Sequence, residues 1–296
     1  MDVPNFLLEK LNKQYDIELT NKIIEGYREN RPVTFRVNTL KSNIEEVKSV
    51  LEENNIKYTN PLWSREAFIL ENIEEKDIEK LEIYKEGKIY LQSLSSMLPP
   101  IILKPEEGQD ILDMTAAPGG KTTQIAALTQ NKANITACEI NKIRAERLKY
   151  NIEKQGANVY VLKEDSKKID SFFSFDRILL DAPCSGSGTI NLNNDKNKIS
   201  IELIEKCKKI QCELLKKAIQ VLKPGQEMVY STCSILQEEN EDIIESILKS
   251  KRAQIIPIEF EGMKEIELLP TKIEGTICVM PSEMYEGFFV AKINKK

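Results

Sequence analysis

The chain has 296 residues, 41% hydrophobic and 30% charged, with a formal net charge of −5 and no histidine. That mixture suits one large soluble domain or two smaller ones. The acidic balance excludes a strongly basic nucleic-acid binder, and the missing imidazole excludes a Ser-His-Asp hydrolase.

The first 104 residues read as a small α+β domain. Residues 3–30 carry two helical faces, one from Phe6, Leu7 and Leu11 and one from Ile23, Ile24 and Tyr27. Pro32 ends this region, and residues 33–39 alternate like a strand. Ser42 with Glu45 forms a capping box that opens a helix carrying Val47, Val50 and Leu51. Strands are expected near 57–58, 67–70 and 89–91. Pro99, Pro100 and Pro105 punctuate the exit from the domain. The expected division is 1–104 and 105–296.

From residue 110 the rhythm changes. Strands are expected at 110–114, 135–139, 159–162, 175–180, 227–231, 276–280 and 288–292. Helices at 122–128, 142–155 and 201–222 separate the first five strands. Alternating strands and helices with apolar strands predict an α/β fold, with a parallel sheet covered on both faces. The last two strands have no helix between them and form an edge hairpin, with one strand antiparallel. The polar stretch 191–198 reads as a loop. Lys206, Lys208, Lys209, Lys216 and Lys217 share one helix with Glu202, Glu205 and Glu213, which reads as a solvated face.

Ligands of open α/β sheets bind at the carboxyl ends of the strands. Asp113 closes the first strand of the large domain, and Thr115-Ala116-Ala117-Pro118-Gly119-Gly120-Lys121-Thr122 follows it. The glycines allow close backbone approach at a helix start. A P-loop fails here because Thr115 stands where its first glycine must be, and no Gly-x-Gly-x-x-Gly is present. Glu139, 20 residues after Gly119, closes the next strand and can accept both ribose hydroxyls of an adenosine. Asp165, after the third strand, can take the adenine amine. Each acid alone is an ordinary solvated loop residue; their order after successive strands points to a nucleoside site. Acids without a phosphate cradle suit a cationic nucleoside, and S-adenosylmethionine has that chemistry. The expected cofactor residues are Asp113, Ala116, Ala117, Pro118, Gly119, Gly120, Lys121, Glu139, Arg144, Asp165 and Asp181.

The apolar run 175–180 leads into Asp181-Ala182-Pro183-Cys184-Ser185-Gly186-Ser187-Gly188, so Asp181 and Cys184 fall on the same rim. A second cysteine, Cys233, ends another strand in Ser231-Thr232-Cys233-Ser234. Ser234 and Gln237 fit a capping box, which would set Cys233 at a helix N-terminus where the dipole favours thiolate. The alternative for any free cysteine is a small buried hydrophobe, the role expected of Cys138, Cys207, Cys212 and Cys278. No Cys-x-x-Cys pair occurs, so neither a disulfide framework nor a metal site is expected. The chain shows no apolar run of membrane-spanning length, and Met1 to Asn5 lack a signal-peptide layout. A cytoplasmic monomer is the expectation.

The segments 113–122, 181–188 and 231–234 together strongly resemble the Nol/Nop/Sun family of RNA cytosine-5 methyltransferases. The resemblance spans roughly residues 30–293, with lesser matches at Arg36-Val37-Asn38 and Gly287-Phe288-Phe289-Val290-Ala291. It implies a Rossmann-like class I methyltransferase fold with a seven-stranded, mostly parallel sheet. It implies that Cys233 attacks C6 of a cytosine in rRNA or tRNA, and that C5 then takes the methyl group of S-adenosylmethionine. Asp181 is implied to hold the N3/N4 edge, and Cys184 to help release the covalent product. Arg36 and Asn38 are implied RNA contacts, within a small domain that docks the RNA. The target base must leave its stack to react. Ser93, Gln226 and Ser282 depart from the family pattern, which places substrate-side details in question. Two alternatives compete. Enzymes that methylate an exocyclic amine favour Asn/Asp-Pro-Pro-Tyr where this chain has Asp-Ala-Pro-Cys. A non-catalytic RNA-binding relative would lack Cys233 or Asp181.

Overall fold

The computed structural model describes residues 3–193 and 199–296; most of the loop expected at 191–198 therefore lies outside the described residues. Helices α1 (Asn5–Gln14) and α2 (Ile17–Arg28) come first. Asp16 caps α2 by accepting from the Leu19 amide at 2.8 Å. Leu7, Leu11, Ile23 and Tyr27 recur at helical spacing and are fully buried, in the same core as Leu112, Leu180 and Tyr230 of the large sheet.

A four-stranded sheet follows. Strand β1 (Thr34–Val37) leads into helix α3 (Ile44–Glu53), then β2 (Tyr58–Thr59) and β3 (Ala67–Leu70). Two single-turn helices, α4 (Glu75–Ile78) and α5 (Glu82–Lys85), precede β4 (Ile89–Leu91). The order is β2-β3-β1-β4, all antiparallel. The cap of α3 is Asn43, which accepts from the Glu46 amide at 2.9 Å; the expected cap, Ser42, instead donates to the Glu46 carboxylate at 2.8 Å. Strand alternation puts Phe35 and Val37 into the small core with Val47, Leu51 and Phe68. It turns Arg36 and Asn38 to the opposite face.

Helix α6 (Leu94–Leu103) contains Pro99 and Pro100, where the sequence pointed to an irregular exit. Proline cannot bond the carbonyl four residues back. The Ser96 carbonyl that Pro100 leaves unpaired accepts from Gln92 Nε2 at 3.0 Å, and the helix continues.

The large sheet is built from β5 (Asp110–Asp113), β6 (Asn134–Cys138), β7 (Val159–Leu162), β8 (Phe175–Asp181) and β9 (Leu222–Thr232), all parallel. Helices α7 (Gly120–Leu128), α8 (Lys142–Gln155) and α9 (Ile201–Val221) make three of the connections, and a short 3₁₀ turn at Ser166–Lys168 lies between β7 and β8. Helix α10 (Glu241–Leu248) follows β9. Then come β10 (Ala253–Ile256), β11 (Leu268–Leu269), β12 (Ile277–Val279) and β13 (Phe288–Lys295). The order is β11-β12-β13-β9-β8-β5-β6-β7, with β10 also on β13. The seven expected strands all form, and β13 runs antiparallel to β9 and β12 as the hairpin requires. Two short strands extend the edge: β10 pairs the outer half of β13, and β11 pairs β12. Strand β5 lies between β6 and β8, so the order reverses there and a crevice opens above its carboxyl end.

Candidate active site

Every loop at this rim carries a residue that the sequence singled out. A cavity of about 430 Å³ runs along it, with Glu139, Arg144 and Asp165 toward one end and Asp181, Cys184 and Cys233 toward the other. A second cavity of about 210 Å³ shares Thr115, Ala117 and Asp181 with the first. It is lined by Asp113, Ala116, Pro118, Gly120 and Lys121, and by Tyr90, Gln92 and Ser93 from the small domain and the turn before α6. Gly119 lines neither cavity. It sits at φ 109°, where only glycine is at ease, and a Cβ there would come 3.0 Å from Leu148 Cδ1.

The acids are held rather than free. Asp113 is buried; it accepts from Thr122 Oγ1 at 2.6 Å and from the Thr115 amide at 3.3 Å. Burial pushes its carboxyl up to about 6, against the pull of those two bonds. Glu139 accepts from the Asn141 amide at 2.8 Å and lies 3.4 Å from the Arg144 guanidinium, which also donates to the Ala117 carbonyl at 2.8 Å. Asp165 accepts from the Lys167 amide at 3.0 Å.

Asp181 closes β8. One carboxylate oxygen meets Lys121 Nζ at 2.7 Å and the other accepts from Ser231 Oγ at 2.8 Å. Lys121 also donates to Ser96 Oγ at 2.7 Å and lies over the Phe288 ring. Burial opposes the Lys121 charge, but Asp181, with Cys233 and Asp113, outweighs it and holds the ammonium above its usual range.

The two cysteines meet. Cys184 Sγ lies 3.1 Å from Cys233 Sγ, both half-buried. The hydrogen bond to Cys233 pushes the Cys184 thiol well above its usual range, and burial adds to the effect. Cys184 therefore stays a thiol at neutral pH, and either sulfur can donate across the contact. The expected helix start at Cys233 does not form. Strand β9 ends at Thr232, a short 3₁₀ turn spans Gln237–Glu239, and α10 begins only at Glu241. Ser234 caps no α-helix: its hydroxyl donates to Glu239 Oε2 at 2.7 Å. Cys138, Cys207 and Cys278 are buried as expected, and Cys212 is half-buried.

Sequence reasoning missed Glu239. Its neighbours Gln237, Glu238, Asn240 and Asp242 give the segment the composition of a solvated surface. Two acids of this run are nevertheless buried, Glu239 and Glu241, and Glu239 reaches the serines beside the cysteines. The available signal was the repeated Cys-Ser pair, at 184–185 and at 233–234, since both serines turn to the same carboxylate.

Arg36 and Asn38, the expected RNA contacts, line neither cavity of the crevice and are buried. Arg36 is 3% exposed; its Nη2 donates to the Gly120 carbonyl at 3.0 Å and to Thr123 Oγ1 at 2.8 Å, and its Nε donates to Gln92 Oε1 at 3.0 Å. Asn38 is fully buried and donates to the carbonyls of Gly87 and Gln155. The three departures from the family pattern are each satisfied locally. Ser93 Oγ donates to Glu286 Oε2 at 2.8 Å, Gln226 Oε1 accepts from Arg177 at 2.6 Å, and Ser282 Oγ accepts from the Tyr285 amide at 3.1 Å.

An acid-rimmed crevice above the first strand of a doubly wound sheet, next to a glycine turn, is the binding site of the class I methyltransferases, and this fold is of that class. A family model described as 16S rRNA methyltransferase RsmB/F matches residues 100–294. A model for the ferredoxin-like domain of the same enzymes matches residues 3–75. A tRNA (cytosine(49)-C(5))-methyltransferase of Pyrococcus abyssi is 34% identical over 312 aligned positions, covering 97% of each chain. A ribosomal RNA small subunit methyltransferase F of Shewanella amazonensis is 34% identical, covering 89% of this chain and 58% of its own length. A crystal structure of a methyltransferase homologue from Pyrococcus horikoshii superposes with a TM-score of 0.81 at 32% identity, covering 99% of this chain and 100% of that one. The chain belongs to the RsmB/F family of RNA cytosine-C5 methyltransferases. Among the described residues, no group of three or more His, Cys, Asp or Glu is arranged to hold a metal ion, and no helix is long and apolar enough to cross a membrane.

Proposed function

We propose that this chain transfers a methyl group from S-adenosylmethionine to C5 of an unpaired or flipped cytosine in tRNA or rRNA, with Cys233 as nucleophile. The supporting observation is the sulfur pair at 3.1 Å beside an Asp181 carboxylate held from two sides. The fit to the cofactor rests on the crevice itself: Glu139 and Asp165 suit the hydroxyls and amine of an adenosine, and Asp113 suits an ammonium. When bound, the cofactor supplies an electrophilic methyl group.

The chain's own residues do the rest. Cys233 Sγ adds to C6, and the pair of electrons released from the C5=C6 bond makes C5 nucleophilic. Asp181 lines both cavities, so it accepts from the N4 amine; the Cys233 thiol proton passes to N3 as the sulfur adds, is held there by the Asp181 carboxylate, and leaves to water when the ring re-forms. Lys121 and Ser231 fix its carboxylate in place. After methylation the C5 proton passes to water, the C5=C6 bond re-forms, and Cys233 leaves as thiolate. The Cys184 thiol, 3.1 Å away, stabilises that leaving sulfur by donating its hydrogen bond. Residues 1–104 dock the RNA and residues 105–296 hold the cofactor. The enzyme works as a cytoplasmic monomer.

Bisulfite sequencing of total RNA with and without the gene tests the reading. At least one methylated cytosine is expected to disappear; retention of every one would end it. In the purified enzyme, Cys184→Ala is expected to trap a covalent RNA adduct as a slow gel band. Adding Cys233→Ala is expected to remove the band, and an adduct that survives in the double variant reverses the two roles.

A further inference from the structure

Glu239 lines neither cavity, yet it is the best-bonded side chain behind the cysteines. It is fully buried. Its Oε1 accepts from the Ser185 amide at 2.8 Å and from Gln211 Nε2 at 3.4 Å. Its Oε2 accepts from Ser185 Oγ at 2.5 Å and from Ser234 Oγ at 2.7 Å. Tyr230, also buried, donates its hydroxyl to the Glu239 backbone carbonyl at 2.7 Å. Ser185 and Ser234 are the residues that follow Cys184 and Cys233. The two loops that carry the sulfurs have no regular structure of their own; they bond directly through the Gly188 amide and the Cys233 carbonyl at 3.0 Å and through the Ser187 and Ser234 hydroxyls at 2.8 Å, and the shared carboxylate ties the two residues next to the sulfurs. A buried carboxylate is kept only when donors surround it, as they do here.

We propose that Glu239 is a positioning residue: by gripping the serine after each cysteine, it holds the Cys184 thiol against the Cys233 sulfur and so sets the rate of product release. The inference rests on the methylation reading above. Misplacing reacting groups by about 1 Å costs on the order of 100-fold in rate. Glu239 lines neither cavity, so its loss acts on the release step, lowering kcat and KM together and leaving kcat/KM near wild type. A grip that fails also lengthens the life of the covalent adduct, because the departing sulfur loses its donor. Lateral packing alone would not produce that signature.

The geometry can be read without methylation. Diamide, a two-electron azo oxidant, takes one hydrogen from each thiol and is reduced to its hydrazine, while a sulfur–sulfur bond forms between Cys184 and Cys233. Disulfide closure is sensitive to how the two side chains face each other, and the intact mass reports the two lost hydrogens. Glu239→Gln replaces one acceptor oxygen by an amide nitrogen that cannot accept. We expect kcat to fall about 100-fold, both KM values to fall with it so that kcat/KM stays near wild type, the adduct to accumulate, and the disulfide to form more slowly than in the wild type. Ser185→Ala and Ser234→Ala remove one arm each and serve if Glu239→Gln does not fold; each should show the same changes more weakly.

Variants that keep wild-type kcat, adduct level and oxidation rate overturn the inference and leave the methylation reading standing. A fall in activity carried by KM, or with the oxidation rate untouched, overturns it as well. A wild type that methylates no RNA overturns the methylation reading and the role in release together, and the oxidation rates then report on the grip alone.

Discussion

On the proposed function, Asp113 couples the fold to cofactor binding. Its carboxyl is raised from an ordinary value of 3.8 to about 6 by burial, so the folded protein holds its proton more tightly than the unfolded chain does. The associated stabilisation is therefore present below pH 3.8 and lost as the pH rises through 6. The ligand's demand has the opposite sign, because an ammonium pairs with the ionised form. Affinity for S-adenosylmethionine is expected to be constant above pH 6 and to weaken by about tenfold per unit as the pH falls below it. In Asp113→Asn, affinity is weak at every pH and this slope is gone. Equilibrium dialysis between pH 5 and 8 checks both, and a wild-type affinity that is flat down to pH 5 would contradict the assignment. The sequence placed Asp113 at a strand end beside a glycine turn, and the structure keeps it there. What the sequence could not show is that Thr122 and Thr115 close around it, since those bonds depend on the turn of the loop rather than on spacing.

At the scale of elements, the active site is a crossing of three loops. Gly188 follows the Cys184 turn, donates its amide to the Cys233 carbonyl at 3.0 Å, and accepts from the Gly287 amide at 2.8 Å. A Cβ on Gly188 would stand 2.0 Å from the Gly287 carbonyl oxygen, and backbone cannot yield that much. Gly188→Ala is thus expected to cost about 1–3 kcal/mol of stability, read from the urea midpoint, and to abolish activity by parting the sulfurs. An unchanged midpoint would show that the crossing is looser than its contacts. Strand and helix positions were largely legible in the sequence, because buried parallel strands read as apolar runs and α8 and α9 keep one apolar stripe each. The failures came where a side-chain bond to a residue four or five positions away, rather than the apolar pattern, decides local structure. Pro99 and Pro100 read as a break, yet Gln92 satisfies the carbonyl that Pro100 cannot. Cys233 read as a helix start, yet Ser234 bonds the buried Glu239. Neither partner is visible from the apolar pattern.

Over the whole molecule, the small sheet meets the large domain through β3, which shares a core with Ile111 and Ile125, through β4, whose Ile89 carbonyl accepts from Gln155 Nε2, and through β1. Alternation along β1 presents Arg36 and Asn38 on one face, and the two reach different parts of the large domain. Arg36 bonds the Gly120 carbonyl and Thr123 at the start of α7, while Asn38 bonds the Gln155 carbonyl at the end of α8. The Arg36 guanidinium also lies over the Tyr90 ring. Burial lowers its pKa to about 10, so it remains charged at neutral pH and holds the cofactor turn from behind. An RNA-contacting arginine and a strut make opposite predictions. Lysine cannot reproduce the planar fork, so Arg36→Lys leaves buried acceptors unpaired and is expected to lower stability by about 2–3 kcal/mol. The cofactor KM should rise, because the Gly120 turn loses its brace. RNA affinity should keep its full dependence on salt, since no phosphate contact is removed. An arginine on a phosphate would instead lower the slope of log affinity against log salt by about one. Measuring the unfolding midpoint and the salt slope on the same variant decides between them: a shallower slope with an unchanged midpoint would return Arg36 to the RNA surface.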